Sequence, residues 1–161
     1  MTLPTDLWLV RHGTSEHHLS ERLQWEGVPL SEEGQCQAAL LARRFRTLEA
    51  VVALYSSPLR RAWDTAVPIA AALGLPPIAR ADLREMEFGE AGGLTIEEFR
   101  ERWPCLAQQH SDPNDPAFRW PGGESRGGFA RRAATVMASL VATHPGQRIV
   151  VVAHTGVIGC Y

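Results

Sequence analysis

The chain has 161 residues, a formal net charge of −2, and 45% hydrophobic and 21% charged residues. That fits one globular domain with a core of its own. Its scattered arginines exclude a nucleic-acid footprint, and no apolar run approaches the ~18 residues of a membrane span. The N-terminus has no charged segment followed by a long apolar one, so a secretory signal is not expected. Cys36, Cys105 and Cys160 are few, far apart and odd in number. They read as free thiols in a reducing cytoplasm, without the spacing of a zinc site.

In chain order, Leu7–Val10 is a short apolar run that predicts a buried strand, and Arg11-His12-Gly13-Thr14 follows it directly. Ser31 is set to cap a helix reaching about Leu48, with Glu32 and Glu33 at the positive end of its dipole. Val51–Tyr55 predicts a second strand. Pro58 is placed in the first turn of the next helix, which runs to about Leu73 before Gly74 closes it. Pro68 inside that helix is expected to kink or shorten it. Thr95 caps a short helix, Ile96–Trp103, stopped by Pro104. A long loop is expected from about Cys105 to Gly128, and loops of that length inside a domain are often functional. A helix then spans about Phe129–Thr143, and a last strand starts at Gln147. Strand–helix alternation predicts an α/β three-layer sandwich, a mainly parallel sheet with helices on both faces.

Two features carry chemistry. Arg11-His12-Gly13 closes the first strand, and Arg148–Ala153 followed by His154-Thr155-Gly156 repeats the design at the other end of the chain. Two apolar runs that each end in His and a following Gly place two imidazoles at the carboxyl edge of the sheet, where open α/β sheets bind ligands.

Ser56-Ser57-Pro58-Leu59-Arg60-Arg61-Ala62, Leu83-Arg84-Glu85-Met86 and Gly122-Gly123-Glu124-Ser125 lie between them in order. This series of motifs, from about Leu7 to Tyr161, resembles the histidine phosphatase superfamily, the phosphoglycerate-mutase-like family. Within it the chain is similar to the small phosphatases of the alpha-ribazole phosphatase type. The resemblance implies a single domain over residues 1–161 and a metal-independent, cofactor-free phosphomonoesterase acting on a small phosphate ester through a phosphohistidine. His12 would be the nucleophile, and Arg11, Arg61 and His154 would bind the phosphoryl oxygens. A guanidinium suits that task because its planar fork of donors matches phosphate.

The family pattern points to Arg61 rather than Arg60, which reads as a solvated helix residue. It makes Glu85 the general acid, which has to carry a proton when the ester bond breaks. Glu87, two residues on, shares a face with Glu85 if the segment is extended, and competes for the role. Thr14, Ser15, Gln24, Ser125 and Thr155 form the expected phosphate- or substrate-binding set. Trp25 follows Gln24 where the family commonly carries glycine. His17 and His18, which follow the Arg11–Ser15 motif, read as a solvated pair, with a place at the pocket mouth as the alternative; His110 and His144 read as surface residues. Trp103 and Trp120 are expected nearest the substrate loop.

The family pattern also continues past the second histidine with another helix and strand, whereas this sequence stops seven residues after His154. The resemblance therefore implies an open sheet edge and a homodimer as one way to cover it. Two alternatives remain: a phosphoglycerate mutase, and a catalytically impaired phosphate-binding module.

Overall fold

A computed structural model describes residues 3–161. Four parallel strands, β1 (Asp6–Arg11), β2 (Val51–Ser56), β3 (Pro77–Ala79) and β4 (Arg148–Ala153), form one sheet in the order β1-β4-β2-β3. The last strand thus inserts between the first two. Its register pairs Leu9 with Val151 and Arg11 with Ala153 on one side, and Ser56 with Val152 on the other.

β4 is buried on both faces, and its side chains alternate between two cores as strand geometry requires. Ile149, Val151 and Ala153 pack with Phe129, Ala133, Met137 and Leu140 of the helix α6 (Arg126–Thr143). Val150 and Val152 pack with residues of α2 (Glu32–Phe45) and α3 (Arg60–Leu73), among them Phe45, Ala66 and Ile69. Burial of each such Val or Ile side chain contributes roughly 1.5–3 kcal/mol. The two cores make the expected three-layer α/β sandwich.

Local signals explain most boundaries. Ser31 caps α2, accepting the Gly34 N–H at 3.1 Å. Thr95 and Glu98 form a reciprocal capping box on α4 (Ile96–Arg102). Gly74 ends α3 in the left-handed conformation at φ 68°.

Four expectations are corrected. Pro58 lies just before α3, whose first residue is Arg60 and whose cap position is Leu59. Pro68 does not end α3. It sits beside exposed Val67 and one turn after exposed Asp64, where water can satisfy the carbonyl that loses its helical partner. Pro104 stops α4 and also opens a further helix, α5 (Pro104–His110), because proline is suited to a first helical position. The expected loop therefore shrinks, and α6 begins three residues early because Ser125 caps it.

α5 and the segments flanking it enclose a third cluster of Ala91, Phe99, Phe118 and Trp120, with Phe88, Trp103 and Leu106 against it. His110 packs on the rings of Phe99, Phe118 and Trp120 at 5.0–5.8 Å between centroids, which corrects its surface reading. His144 is likewise half-buried, with one ring nitrogen 2.9 Å from the Tyr55 hydroxyl and the other 2.7 Å from Gln147 Oε1. The short helices α1 (Glu16–Leu19) and α7 (Thr155–Gly159) complete the chain. Among the described residues, no helix is long and apolar enough to cross a membrane. All three cysteines are free.

Candidate active site

Sheet register builds the site. Arg11 pairs with Ala153, and the His12 N–H continues the ladder to the Ala153 carbonyl at 3.0 Å. The next residue on each strand is therefore a histidine, and the His12 and His154 rings stand 5.1 Å apart. On the far side of β4, the Ser57 N–H extends β2 to the Val152 carbonyl, which brings its hydroxyl 2.8 Å from His154 Nε2.

His12 is held by a short relay. Its Nδ1–H donates to the Gly13 carbonyl at 2.7 Å, and the Gly13 N–H donates to Thr65 Oγ1 at 3.1 Å. The Thr65 hydroxyl donates in turn to the Arg61 carbonyl at 2.7 Å. With its proton on Nδ1, His12 carries its lone pair on Nε2, which faces Arg61 Nε at 3.3 Å. Burial, opposed by the Gly13 hydrogen bond but joined by Arg61, His18 and Arg11, lowers the His12 pKa to about 3. The ring is neutral at pH 7 and its Nε2 is available as a nucleophile.

His154 is fully buried, and its pKa lies well below 6.5, chiefly through burial and then through Arg61. Ser57 Oγ accepts the Leu59 N–H at 3.2 Å, so its own proton is free for His154 Nε2. In the tautomer that accepts the Ser57 proton, the histidine's own proton sits on Nδ1, a buried atom with no partner among the described residues. In that tautomer neutral His154 is a hydrogen-bond donor with its donor unspent, beside His12.

Arg61 comes from the first turn of α3 and is 1% exposed. Burial lowers its pKa to about 10, against the pull of Glu85, so it remains a cation at neutral pH. Its Nη1 donates to the Trp25 carbonyl at 3.0 Å. Arg60 points outward and pairs with Asp64 at 3.5 Å.

A cavity of about 200 Å³ is lined by His12, His18, Gln24, Arg61, Glu85 and Thr155, with Arg22, Leu23 and Phe88 at its margin. The Glu85 carboxyl is fixed by two amides: Met86 N–H donates to Oε1 at 2.9 Å and Gly156 N–H to Oε2 at 3.1 Å. Each oxygen keeps a second lone-pair direction for a proton. Glu87 is exposed and lines only the neighbouring cleft, with Trp25, Glu26 and Arg84. The segment does not put both carboxyls into the His12 cavity.

The other expected ligands divide. Gln24 and Thr155 line the cavity with His12. Arg11 and Thr14 face a second, larger hollow of about 540 Å³ toward α2, which His12 and His18 also line and where Gln37 Oε1 takes the Thr14 N–H at 2.9 Å. That hollow holds neither Arg61 nor Glu85. Ser15 and Ser125 line none of these hollows. Ser15 is turned to His18, and Ser125 spends its oxygen on the Gly128 N–H at 3.1 Å as the cap of α6.

His18 lines the cavity with His12, so its second reading, at the pocket mouth, replaces the solvated one. It stacks on His12 at 5.5 Å with the planes 10° apart, so it is no solvated residue. Ser15 N–H donates to its Nδ1 at 3.1 Å, while Arg11 Nη2 and the Gln24 amide reach its Nε2 at 3.0 and 2.6 Å. Burial and then Arg11 lower its pKa below 6.5. His17 turns to the Leu23 carbonyl at 3.3 Å. Ser57 stands in the motif without an assigned role and Thr65 lies just beyond it; Trp25 lines the cleft beside Glu85, while Trp103 and Trp120 pack in the aromatic cluster. Among the described residues, no three His, Cys, Asp or Glu side chains are grouped to hold a metal ion.

The chain is similar to several known proteins over nearly all of its length. A bifunctional protein of Mycobacterium tuberculosis is 37% identical over 152 residues, which is 94% of this chain and 41% of that protein. The chain thus spans about two fifths of the length of the first curated relatives it matches. A metal-independent phosphoserine phosphatase of Arabidopsis thaliana is 36% identical over 96% of this chain and 66% of its own. Mycobacterial glucosyl-3-phosphoglycerate phosphatase superposes with a TM-score of 0.80 at 32% identity, over 94% of this chain and 74% of that one. A candidate alpha-ribazole-5'-P phosphatase of Escherichia coli gives 0.86 at 25% identity, over 98% and 76%. The family model of the histidine phosphatase superfamily (branch 1) matches residues 7–161, and the chain belongs to that superfamily.

Proposed function

We propose that this chain is a metal-independent phosphomonoesterase that hydrolyses a small phosphorylated metabolite through a phosphohistidine. The observation that carries the reading is the state of His12. Its Nδ1 proton is tied to Gly13, its Nε2 is unprotonated, and Arg61 and Glu85 line the same cavity. Relatives named as phosphatases for phosphoserine and glucosyl-3-phosphoglycerate support the reaction class.

In the first step the His12 Nε2 lone pair forms the N–P bond while the P–O bond to the leaving group breaks. The Arg61 donors, released from Nε2 by the incoming group, and His154 Nδ1–H hold the phosphoryl oxygens. Arg11 turns from His18 to join them. Each donor is worth about 3 kcal/mol by analogy with an oxyanion hole. The departing oxygen takes the electron pair of the broken bond and the Glu85 proton, leaving as an alcohol. In the second step water attacks phosphorus, the N–P pair returns to Nε2, and the water proton restores Glu85. Splitting the displacement in this way divides one hard step into two easier ones.

Substrate recognition falls to the cleft beside Glu85, lined by Trp25, Glu26, Arg84, Glu87 and Phe88. The three free thiols fit a cytoplasmic setting. The test is hydrolysis of p-nitrophenyl phosphate in the presence of EDTA by the chain and by His12→Ala, with the phosphoenzyme followed by 32P labelling. Turnover and an acid-labile label in the parent alone are expected. Transfer to a second hydroxyl without phosphate release would establish the mutase instead. Phosphate binding without turnover would establish the binding module.

A further inference from the structure

Glu85 stands on a stretch without regular secondary structure, between a 3-10 turn at Ala81–Leu83 and another at Gly89–Ala91. Such a backbone does not hold a side chain in place by its own ladder, so its hydrogen bonds have to end elsewhere. Four of those of residues 82–87 end on two side chains. Arg132 of α6 donates from Nη1 to the carbonyls of Asp82 and Arg84 at 2.9 and 2.8 Å, and from Nη2 to that of Glu85 at 3.4 Å. The rest of its fork is bidentate to Glu124, from Nε to Oε1 at 3.0 Å and from Nη2 to Oε2 at 2.6 Å.

Glu124 completes the clamp. Its Oε2 accepts the Glu87 N–H at 3.2 Å and its own N–H donates to the Glu87 carbonyl at 2.9 Å. The two side chains are each about one quarter exposed. Burial alone would raise the Glu124 pKa; the Arg132 fork and the Glu87 amide more than offset it, and the carboxylate stays ionised. The Arg132 guanidinium also lies over the Phe129 ring, 5.1 Å from its centroid.

We propose that Arg132 and Glu124 are the positioning pair of this site, clamping the backbone at residues 82–87 so that the Glu85 carboxyl meets the leaving oxygen. The proposal rests on the reading of Glu85 as the acid. Neither residue lines the cavity with His12, so they act only through the segment they hold. A guanidinium is required because one planar group has to serve three carbonyls and a carboxylate at once. An ammonium has three donors and no fork.

The experiment measures kcat/KM, which reports the first phosphoryl transfer, across 2,4-dinitrophenyl, p-nitrophenyl, phenyl and ethyl phosphate. The enzymes are the parent, Arg132→Lys, Glu124→Gln and Glu85→Gln. General acid catalysis is worth about 10²–10⁴-fold, and an ester with a good leaving group does not need it. Glu85→Gln is expected to lose ~10²-fold or more on ethyl phosphate and little on the dinitrophenyl ester. Arg132→Lys and Glu124→Gln are expected to follow the same slope with leaving-group basicity, at a smaller amplitude.

A loss that is equal across all four esters, or none at all, in both clamp variants would overturn the proposal while Glu85→Gln keeps its slope. A flat series for Glu85→Gln itself would overturn the acid reading and the clamp with it. Glu124→Gln conserves shape and removes only charge, so it carries the test if Arg132→Lys does not fold.

Discussion

Lowering the pH should destabilise this domain through its imidazoles, and His12 allows the effect to be measured singly. The folded protein keeps His12 neutral down to a pKa of about 3, whereas the unfolded chain takes up that proton near the ordinary 6.5. Above pH 6.5 neither state binds the proton, and the group contributes nothing to the pH dependence. As the pH falls from 6.5 toward 3, only the unfolded state binds it, and stability is lost progressively. At pH 4.5 the unfolded imidazole lies two units below its pKa, which costs about 2.7 kcal/mol at 1.36 kcal/mol per unit. His18 and His154, also held below their ordinary value, act in the same direction.

His12→Asn removes the titrating group and keeps an N–H near the Gly13 carbonyl. Urea unfolding of parent and variant at pH 7.5 and 4.5 gives the double difference, in which the carboxylates and the histidines not in contact with His12 cancel. The variant should lose about 2.7 kcal/mol less than the parent over that interval. Parallel losses in the two proteins would refute the claim that His12 is held neutral by its burial.

Two further substitutions probe how the site is held. Thr65→Val leaves the buried Gly13 N–H without its acceptor and frees the His12 ring. Denaturant unfolding should fall by about 1–3 kcal/mol, kcat should drop, and Thr65→Ser should restore both. Gly156→Ala sets a methyl group against Glu85 Oε1 and the Phe129 ring. Its kcat/KM should fall on alkyl phosphates more than on p-nitrophenyl phosphate, with about 1–3 kcal/mol of overpacking visible in unfolding. A variant equal to the parent in both measurements would mean that α7 gives way instead.

The residues legible in the sequence are those whose position follows from one local pattern. Two apolar runs that each end in His and a following Gly fix His12 and His154 at one sheet edge, whatever the connections between them. Arg61 is told from Arg60 by the family pattern, which carries its arginine directly before Ala62, and the structure leaves Arg60 on its solvent-side pair with Asp64. The failures share a different cause. His18 reaches His12 only because the chain folds back through the Ser15–Leu30 bridge, a contact that no short window contains. His110 is buried by aromatic residues from 99 and from 118–120 that meet only in three dimensions.

Ser125 shows a signal read with the wrong sense. A serine ahead of a helix is as much a cap as a ligand, and the Gly128 amide takes it. Proline at 104 was read as a stop, though the same residue favours a first helical turn. Arg132 lay on a helix face with nothing in its neighbourhood to mark it. Its partners are the carbonyls of Asp82, Arg84 and Glu85, about 50 residues earlier in the chain.

The strand order β1-β4-β2-β3 has a consequence for how this molecule comes into being. β1 and β2, made early, do not touch each other in the sheet; both wait for β4, which begins at residue 148. Loop closure over such separations costs entropy before any contact returns it, so folding should be slow and late. On the ribosome, the first histidine is synthesised long before anything can orient it. Its carboxyl-terminal partner strand brings the second histidine and the register of the first in a single event, leaving no partly folded species with a working nucleophile. Onset of turnover during translation or refolding would therefore report insertion of β4.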